Sequence, residues 1–349
     1  MPFTRVDIVE SRLNFVRSVL AEGKSLSSAC REFGVSRTTG YKWLARFEQD
    51  DLSGLEDRSR RPHSSPRQTP DSVVERILEL KKKYPAWGAC KLAVLLGESS
   101  PCPRTIDRIL DRHGWTVPAS TVKSVGRFVR ENSNELWQMD FKGVPHGNPE
   151  LLGCVDDASR FCVFLARVPS QRLEDWWPVL WDAFGTYGMP DAILCDNGSS
   201  FRNLAMERYS SFDIRLLRLG IRPIHGRPCH PQTQGKIERF FGTLEKEKGI
   251  GQPAEFRRIY NEIRPHAGID MRTPTQCYQP SRKPRPAEMP SDEPPNGSET
   301  RRTDVNGVFS YRGCEHKLGK AVRRKRIGIL EGDVFYGTAN LGPIHRYKL

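Results

Sequence analysis

The first fifty residues carry apolar side chains at helical spacing. Apolar positions recur every three or four residues between 6 and 21, which predicts an amphipathic helix. A shorter helix is predicted from Ser25 to Phe33, with a turn at Gly34. Ser36 is suited to cap a third helix, from Arg37 to about Phe47. A helix, a tight turn and a capped helix form the helix-turn-helix pattern, so residues 1–50 are predicted to be such a unit.

The third helix of this unit is expected to present a polar face. We expect Val35, Tyr41 and Leu44 to face the core. The outward residues near the helix start are then Arg37, Thr38, Thr39 and Lys42. In helix-turn-helix motifs these positions meet base edges in the major groove, so we predict DNA contacts there. A plain helical bundle with a solvated basic face is the alternative.

Residues 51–69 are rich in Arg, Ser and Pro and have no apolar period, which predicts a basic linker. Within it, we expect Arg58, Arg60 and Arg61 to lie along DNA phosphates.

A second helical unit is predicted over residues 70–118. Its last helix, at about 104–112, turns apolar residues inward and places Arg104 and Arg108 on one outer face. This pattern indicates a second helix-turn-helix unit with DNA contacts at both arginines. A basic, merely solvated helix is the alternative.

In residues 132–280 the helical spacing of apolar residues gives way to the two-residue alternation that is typical of strands. Trp137, Met139 and Phe141 alternate with polar residues, as in a half-buried strand. The further predicted elements are strands at 151–155 and 161–168, a helix at 171–187, a strand at 192–195 and a helix from 234 to about 248. Strands followed by alternating strands and helices predict an α/β layer.

The C-terminal region divides in two. Residues 281–302 are rich in Pro, Ser and charge and are predicted to be a linker. Residues 303–349 hold short apolar strands between glycine turns, which predicts a small basic β-barrel. The predicted fold class is therefore multidomain, with two N-terminal all-α helix-turn-helix units, an α/β core and a C-terminal small all-β barrel.

Charge is unevenly distributed along the chain, which has a net charge of +13. Residues 1–130 hold 23 Lys and Arg against 15 Asp and Glu, whereas residues 131–200 hold 4 against 11. Basic ends suit a polyanion such as DNA, and a local acidic concentration suits a cation. By itself this distribution is equally compatible with ordinary surface solvation.

The nine cysteines are scattered singly and form no C-x-x-C pair, which indicates reduced thiols. No apolar run approaches the length of a membrane span, and the first residues lack the apolar stretch of a signal peptide. We therefore expect a bacterial cytoplasmic protein, associated with the nucleoid and without a membrane partner.

Three carboxylates lie in positions where ligand sites collect. Asp140 is within a strand, Asp196 ends a short apolar strand, and Glu238 is in the first turn of a helix. Carboxylates brought together repel unless a cation lies between them, and hard divalent ions prefer oxygen ligands. The alternative acids that local pattern alone leaves open are Asp156, Asp157, Asp191, Glu207 and Glu245.

The motifs around these acids resemble those of DDE insertion-sequence transposases of the retroviral-integrase type. Residues 137–143 resemble the strand with the first Asp, residues 156–161 resemble the DDxSR hairpin, and residues 188–201 resemble the segment with the second Asp. Residues 230–239 resemble the segment with the final Glu. The likeness includes the N-terminal region and is strongest over 137–282.

This resemblance implies a ribonuclease-H-like core in which Asp140, Asp196 and Glu238 are catalytic and hold two Mg²⁺ ions, with Mn²⁺ as a substitute. It implies that Asp140 bridges both ions. It also implies binding of the element's own inverted terminal repeats, DNA end cleavage, and strand transfer into target DNA, without a covalent protein–DNA intermediate. Joining two ends to one target requires at least a dimer. Lys236 and Arg239 flank Glu238 and either hold phosphates or are ordinary surface charges.

The chain departs from the family pattern at three points. Cys195 precedes the second Asp, where Thr or Ser is common, and Cys102 replaces a usual Ser at a helix start. The zinc-binding module of retroviral integrases is absent from the sequence. Two other functions remain open: a catalytically inactive, sequence-specific DNA-binding protein derived from a transposase, and a nuclease of the ribonuclease-H type acting on generic substrates.

Overall fold

The computed structural model forms two compact units, Met1–Gln68 and Thr69–Leu349. The residues that it describes are 7–58, 68–115, 130–143, 150–196, 198, 201, 209–226, 235–247 and 251–348. Each unit is described by itself below.

The first unit is a bundle of three helices, α1 (Ile8–Leu20), α2 (Leu26–Glu32) and α3 (Arg37–Asp50). The side chain of Ser36 accepts a hydrogen bond from the backbone N–H of Thr39 at 3.1 Å, so it caps α3 as predicted. Ser25 caps α2 in the same way. The helix-turn-helix arrangement of α2 and α3 is therefore confirmed.

Glycine determines which face of α3 is buried. A Cβ atom at Gly40 would lie 2.7 Å from the Cys30 sulfur and 2.9 Å from the Phe15 ring, so α3 approaches its neighbours most closely there. The buried positions follow at helical spacing from Gly40, and Trp43 is buried. The prediction that Tyr41 faces the core is wrong, because this rotation leaves Tyr41 65% exposed.

The predicted linker at 51–69 begins later than expected. Residues Asp51–Leu55 form a 3₁₀ turn that buries Leu55 in the core of the first unit. Arg12 donates to the Leu55 carbonyl at 2.7 Å and pairs with Asp57 at 2.7 Å. The chain from Asp51 to Asp57 is therefore part of the helical unit, because an apolar anchor and an ion pair hold it there.

The second helical unit contains α4 (Asp71–Lys83), α5 (Ala89–Leu96) and α6 (Pro103–Arg112). Its apolar core also receives Ile259 and Ile263, which follow the helix at 253–258. The indole N–H of the buried Trp87 donates to Glu247 at 3.0 Å, and Glu247 pairs with Arg264 at 2.9 Å. The second helical unit is thus docked on the core by shared apolar packing and a buried polar contact.

A mixed five-stranded sheet forms the core. Its elements are β1 (Trp137–Lys142), β2 (Glu150–Asp156), β3 (Cys162–Val168), α7 (Leu173–Tyr187), β4 (Ala192–Cys195), α8 (Ser211–Arg218) and β5 (Arg222–His225). The strand order is β3-β2-β1-β4-β5, with β1, β2 and β3 antiparallel and β4 and β5 parallel to β1. The α/β layer is confirmed, although the sequence pattern did not predict β5.

Alternation along β1 assigns its side chains to two faces. Trp137 and Met139 pack in the apolar cluster that includes Trp176 and Phe184 of α7. The opposite face receives α9 (Gly235–Lys246) and α10 (Pro253–Arg258), and a short helix, α11 (Pro274–Cys277), follows. The sheet therefore lies between helices, and the Gln138 and Asp140 side chains belong to the α9 face.

The C-terminal module contains β6 (Glu299–Arg302), β7 (Val308–Tyr311), β8 (Cys314–Lys317), β9 (Arg326–Leu330), β10 (Asp333–Tyr336) and β11 (Ala339–Pro343). A four-stranded sheet has the order β11-β10-β9-β6, and β7 pairs with β8 alone. The predicted barrel is therefore wrong in one respect, because these described strands form an open sheet and a hairpin and do not close.

The predicted linker at 281–302 is also wrong, because this segment is packed. The Ser281 N–H donates to the Tyr187 carbonyl at 2.7 Å, and the Met189 N–H donates to the Lys283 carbonyl at 2.8 Å. Further along, the Asp292 carboxylate pairs with Arg218 at 2.6 Å and accepts from the Tyr336 hydroxyl at 2.6 Å. The segment fastens the C-terminal module to the core through backbone and charged hydrogen bonds.

None of the helices in the described ranges combines the length and the apolar character that crossing a lipid bilayer requires.

Asn261 completes the outer edge of β3. Its side-chain oxygen accepts from the Cys162 N–H at 2.8 Å, and its side-chain nitrogen donates to the Cys162 carbonyl at 3.0 Å. We expect Asn261→Ala to lower the free energy of unfolding by about 2 to 3 kcal/mol, because it leaves buried backbone groups without this partner. Urea denaturation of the full chain measures the change. The exposed Asn306 is the control, and an equal effect of Asn306→Ala would contradict this explanation.

Candidate active site

The parallel pairing of β1 with β4 places two acids side by side. Gln138 pairs with Leu194, and Asp140 and Asp196 each follow two residues later. Side chains two residues apart in a strand point to the same face. Neighbouring strands are about 4.8 Å apart, so the register brings the Asp140 and Asp196 carboxylates to the same level and the same face.

A turn holds the Asp196 carboxylate directly after β4. Its Oδ1 accepts a hydrogen bond from the Gly198 N–H at 2.9 Å. A Cβ atom at Gly198 would lie 2.8 Å from that same oxygen. A side chain at position 198 would require the carboxylate to shift, so glycine allows this close approach.

Glu238 reaches the same face from the first turn of α9. The Gln138 side chain connects this helix to β1, since its Oε1 accepts from the Ile237 N–H at 3.3 Å. The Gln138 amide then donates to Asp157 at 2.7 Å. Because Gln138 and Asp140 share one face of β1, this contact brings the start of α9 to the two aspartates.

The charges of Asp196 and Glu238 affect the pKa of Asp140. Burial together with the negative charges of Asp196 and Glu238 raises the pKa of Asp140 to about 6, against the hydrogen bond from the Phe141 N–H and the positive charge of Lys142. Burial and like charge both disfavour the ionised form. Asp140 is thus a partly buried acid among like charges, which is the environment that a bound cation would relieve.

The three acids offer only carboxylate oxygens, which are donors that suit a hard divalent cation. Among the residues that the structure describes, no three His, Cys, Asp or Glu side chains stand close enough together to form a ready-made metal cage. Like-charge repulsion favours such separation of carboxylates.

The alternative acids have other partners or positions. Asp156 is buried and accepts from the Asn134 N–H at 2.7 Å and from the Ser159 hydroxyl at 2.6 Å. Glu245 pairs with Lys142 at 2.6 Å, and Asp191 is exposed. Glu207 lies outside the described residues. Asp156 and Glu245 are therefore already bound by other groups of the protein.

Lys236 has a structural partner. Its ammonium group pairs with the buried Asp157 and donates to the Asp157 carbonyl at 3.1 Å. Burial lowers the pKa of Lys236 to about 8, although Asp157 opposes this shift. Lys236, for which the sequence predicted a phosphate contact, is therefore already paired with Asp157 inside the protein. Arg239 is exposed in the turn that also carries Glu238.

The residues expected to bind DNA are mostly at the surface. On α3, Arg37, Thr38 and Lys42 are exposed, whereas the Thr39 hydroxyl is 2.9 Å from that of Ser36. Arg104 and Arg108 are exposed on α6. Arg58 pairs with Asp50 at 2.6 Å. Arg60 and Arg61 lie outside the described residues.

Sequence reasoning did not find the polar groups that surround the acids. His225 lies 2.8 Å from the buried Asp213 and 3.4 Å from the Asp196 carbonyl. Gln138 and Asp157 connect β1 to α9, as described above. Neither set has a local sequence signal, because its members come together only when separate strands and helices pack.

Comparison with known families covers most of the chain. Residues 11–63 match the helix-turn-helix domain family, and residues 39–110 match the homeodomain-like domain family. Residues 130–231 and residues 219–274 each match an integrase core domain family.

Several known proteins are similar to this chain. The uncharacterized protein y4bC/y4pJ of Sinorhizobium fredii is 34% identical over 113 residues, or 32% of this chain and 75% of the relative. The transposase for transposon Tn552 of Staphylococcus aureus is 24% identical, with coverage of 67% and 55%. The insertion element IS476 uncharacterized 39.2 kDa protein of Xanthomonas euvesicatoria is 25% identical, with coverage of 73% and 78%.

Among solved structures, a chain of the simian T-cell lymphotropic virus intasome in complex with PP2A regulatory subunit B56 gamma aligns with 77% of this chain and 99% of its own length. It is 18% identical with a TM-score of 0.38, a likeness that carries no argument. The matches to integrase core domains and the likeness to a transposon transposase and an insertion-element protein are the decisive findings. Together with the helix-turn-helix units and the mixed sheet, they show that the chain belongs to the insertion-sequence transposases with a ribonuclease-H-like integrase core.

Proposed function

We propose that this transposase binds the inverted terminal repeats of its own element, cleaves DNA at those ends and joins them to target DNA. Asp140, Asp196 and Glu238 are the catalytic residues in this proposal. The observation that carries it is the position of three acids on the α9 face, where the Asp196 and Glu238 charges act together with burial to raise the pKa of Asp140.

The donor set fits Mg²⁺, with Mn²⁺ as a substitute, because all three side chains offer carboxylate oxygens. Asp140, Asp196 and Glu238 would hold the metal. When bound, two such ions activate an attacking oxygen and stabilise charge on the leaving oxygen of a phosphodiester. The likeness to integrase cores supports the number of two ions.

The chemistry proceeds in two displacements at phosphorus. Water first cleaves one phosphodiester at each element end and leaves a 3′-OH. That 3′-OH then attacks a target phosphodiester, forms a new P–O bond and releases the target's own 3′-OH. The hydrolysis converts one phosphodiester into a 3′-OH and a 5′-phosphate, whereas the joining step exchanges one phosphodiester for another. Arg239 is exposed one residue after Glu238 and is placed to contact the phosphate backbone beside the acids.

The two helix-turn-helix units supply recognition in this proposal. Arg37, Thr38 and Lys42 on α3 read or position one part of the terminal repeat, and Arg104 and Arg108 on α6 contact another. Thr39, Arg58, Arg60, Arg61 and Lys236 belong to the same sequence-based prediction, although Arg58 and Lys236 already have protein partners. Two ends must meet one target, so the active form is at least a dimer on DNA.

An inactive DNA-binding protein is the second candidate, supported by the two helix-turn-helix matches. The acid trio argues against it, because a protein that only binds DNA gains nothing from a destabilised carboxylate.

A strand-transfer assay separates these functions. Its substrate is duplex DNA carrying the inverted repeats that flank the coding sequence. We expect Asp140→Asn, Asp196→Asn and Glu238→Gln each to reduce cleavage and joining at least about 100-fold while end binding persists, because each removes a metal ligand. Asp191→Asn is the matched control and should keep wild-type activity, since Asp191 is exposed and apart from the trio.

Binding variants test the recognition part of the same assay. Arg37→Ala should weaken end binding about tenfold, and Arg17→Ala, which removes an exposed arginine of α1, should not. Full activity of Asp140→Asn would refute the active-site assignment. End binding by the wild-type chain without cleavage in Mg²⁺ or Mn²⁺ would instead support the inactive DNA-binding protein.

The pKa of Asp140 predicts how metal and pH affect stability. Its pKa in the folded chain is about 6, above the ordinary value of 3.8, so the folded state binds the proton more tightly than the unfolded state. The free energy of unfolding of the metal-free protein therefore falls as pH rises from about 4 through 6. We expect Asp140→Asn to raise the midpoint of thermal unfolding at pH 8 by about 2 to 4 °C, and to have little effect at pH 4.

Differential scanning fluorimetry with and without Mg²⁺ checks this expectation. At pH 8, Mg²⁺ should stabilise the wild-type chain and not Asp140→Asn. Asp191→Asn should behave as wild type. A lower midpoint for metal-free Asp140→Asn at pH 8 would show that the Asp140 charge stabilises the fold, contrary to the proposed repulsion.

A further inference from the structure

Asp140 has a glycine as its neighbour on β2. In the antiparallel pairing of β1 with β2, Asp140 is directly opposite Gly153. Residues directly opposite in an antiparallel pair have their side chains on the same face. The missing side chain of Gly153 therefore leaves a gap beside the Asp140 carboxylate, on the face that receives α9.

Two aromatic rings of α9 fill this gap. A Cβ atom at Gly153 would lie 3.0 Å from two ring carbons of Phe241 and 3.2 Å from one of Phe240. Both rings are buried, and Phe240 packs edge-on to Tyr260 with centroids 4.9 Å apart. The rings lie between the sheet and the following helical segment, so they have little space in which to retreat.

The same helix carries Glu238. It lies three residues before Phe241, which is about one turn and hence close to the same side of the helix. An outward shift of Phe241 therefore shifts the turn that holds Glu238. The hydrogen bond from the Ile237 N–H to Gln138 holds the beginning of α9 against β1. The gap at Gly153 then determines how closely the next turn of α9 packs against the sheet.

We propose that Gly153 is a positioning residue, whose missing side chain sets the distance between Glu238 on α9 and Asp140 on β1. The inference rests on the proposed function, since it concerns the same three acids. It adds a residue that has no charge and touches neither substrate nor metal. Gly153 acts through Phe241, whereas Gln138 acts through the backbone of the helix start.

Mn²⁺ binding to the full-length chain without DNA, measured by isothermal titration calorimetry, tests the inference. Gly153→Ala should weaken Mn²⁺ affinity about tenfold and strand transfer about 100-fold, because the added methyl group displaces the helix that carries one ligand. Gly242→Ala is the matched control. It adds a methyl group to α9 where no atom lies within 4 Å of the new Cβ, and should leave Mn²⁺ affinity unchanged.

A second variant separates positioning from folding. Phe241→Leu combined with Gly153→Ala removes ring atoms where the methyl group is added, and should restore Mn²⁺ affinity to within about threefold of wild type. Circular dichroism confirms that each variant is folded. If Gly153→Ala is folded and binds Mn²⁺ as wild type does, or if the double variant restores folding without restoring affinity, the inference is overturned. A wild-type chain that binds no Mn²⁺ overturns the proposed function and the inference with it.

Discussion

In a pair of parallel strands, residues at the same level point to the same face of the sheet. Strands β1 and β4 are such a pair, with Asp140 inside β1 and Asp196 directly after β4 at the same level. The rest of the site depends on this register, because a shift of one residue would turn one carboxylate to the opposite face, among Trp137, Met139 and the tryptophans of α7. The apolar residues that alternate with the acids thereby fix the register that brings the two charges together.

That arrangement has an energetic cost that other parts of the molecule offset. Burial and two like charges raise the pKa of Asp140, so the metal-free site works against the fold. Near Asp140 in the sequence, other buried acids have several hydrogen-bond or ion-pair partners. The buried Asp157 collects contacts from Gln138 and Lys236, and Asp156 accepts from Asn134 and Ser159. The same short stretch of sequence thus contains buried acids with several hydrogen-bond partners and an acid, Asp140, whose ionised form is disfavoured.

Local pattern predicted the elements on which the acids lie, since alternation in β1, the apolar run of β4 and the helical period of α9 are all visible in the sequence. It also predicted the capped helix α3. Local pattern failed where packing depends on glycine or on contacts between residues distant in the sequence. Gly40 turns α3 so that Tyr41 is exposed, and Gly153 admits Phe241 beside Asp140. The segment at 281–302 resembles a linker in composition, yet Asp292 and backbone hydrogen bonds fasten it to the core.

We propose that Asp140, Asp196 and Glu238 together bind a shared divalent cation. Anomalous diffraction from crystals of the full-length protein soaked in Mn²⁺ tests it directly, because the peaks locate the metal independently of activity. We expect Mn²⁺ peaks within ligand distance of all three carboxylates, and their loss in Asp140→Asn. Peaks coordinated by Asp191 or Glu245 without the trio, or no peak beside Asp140 at saturating Mn²⁺, would contradict it.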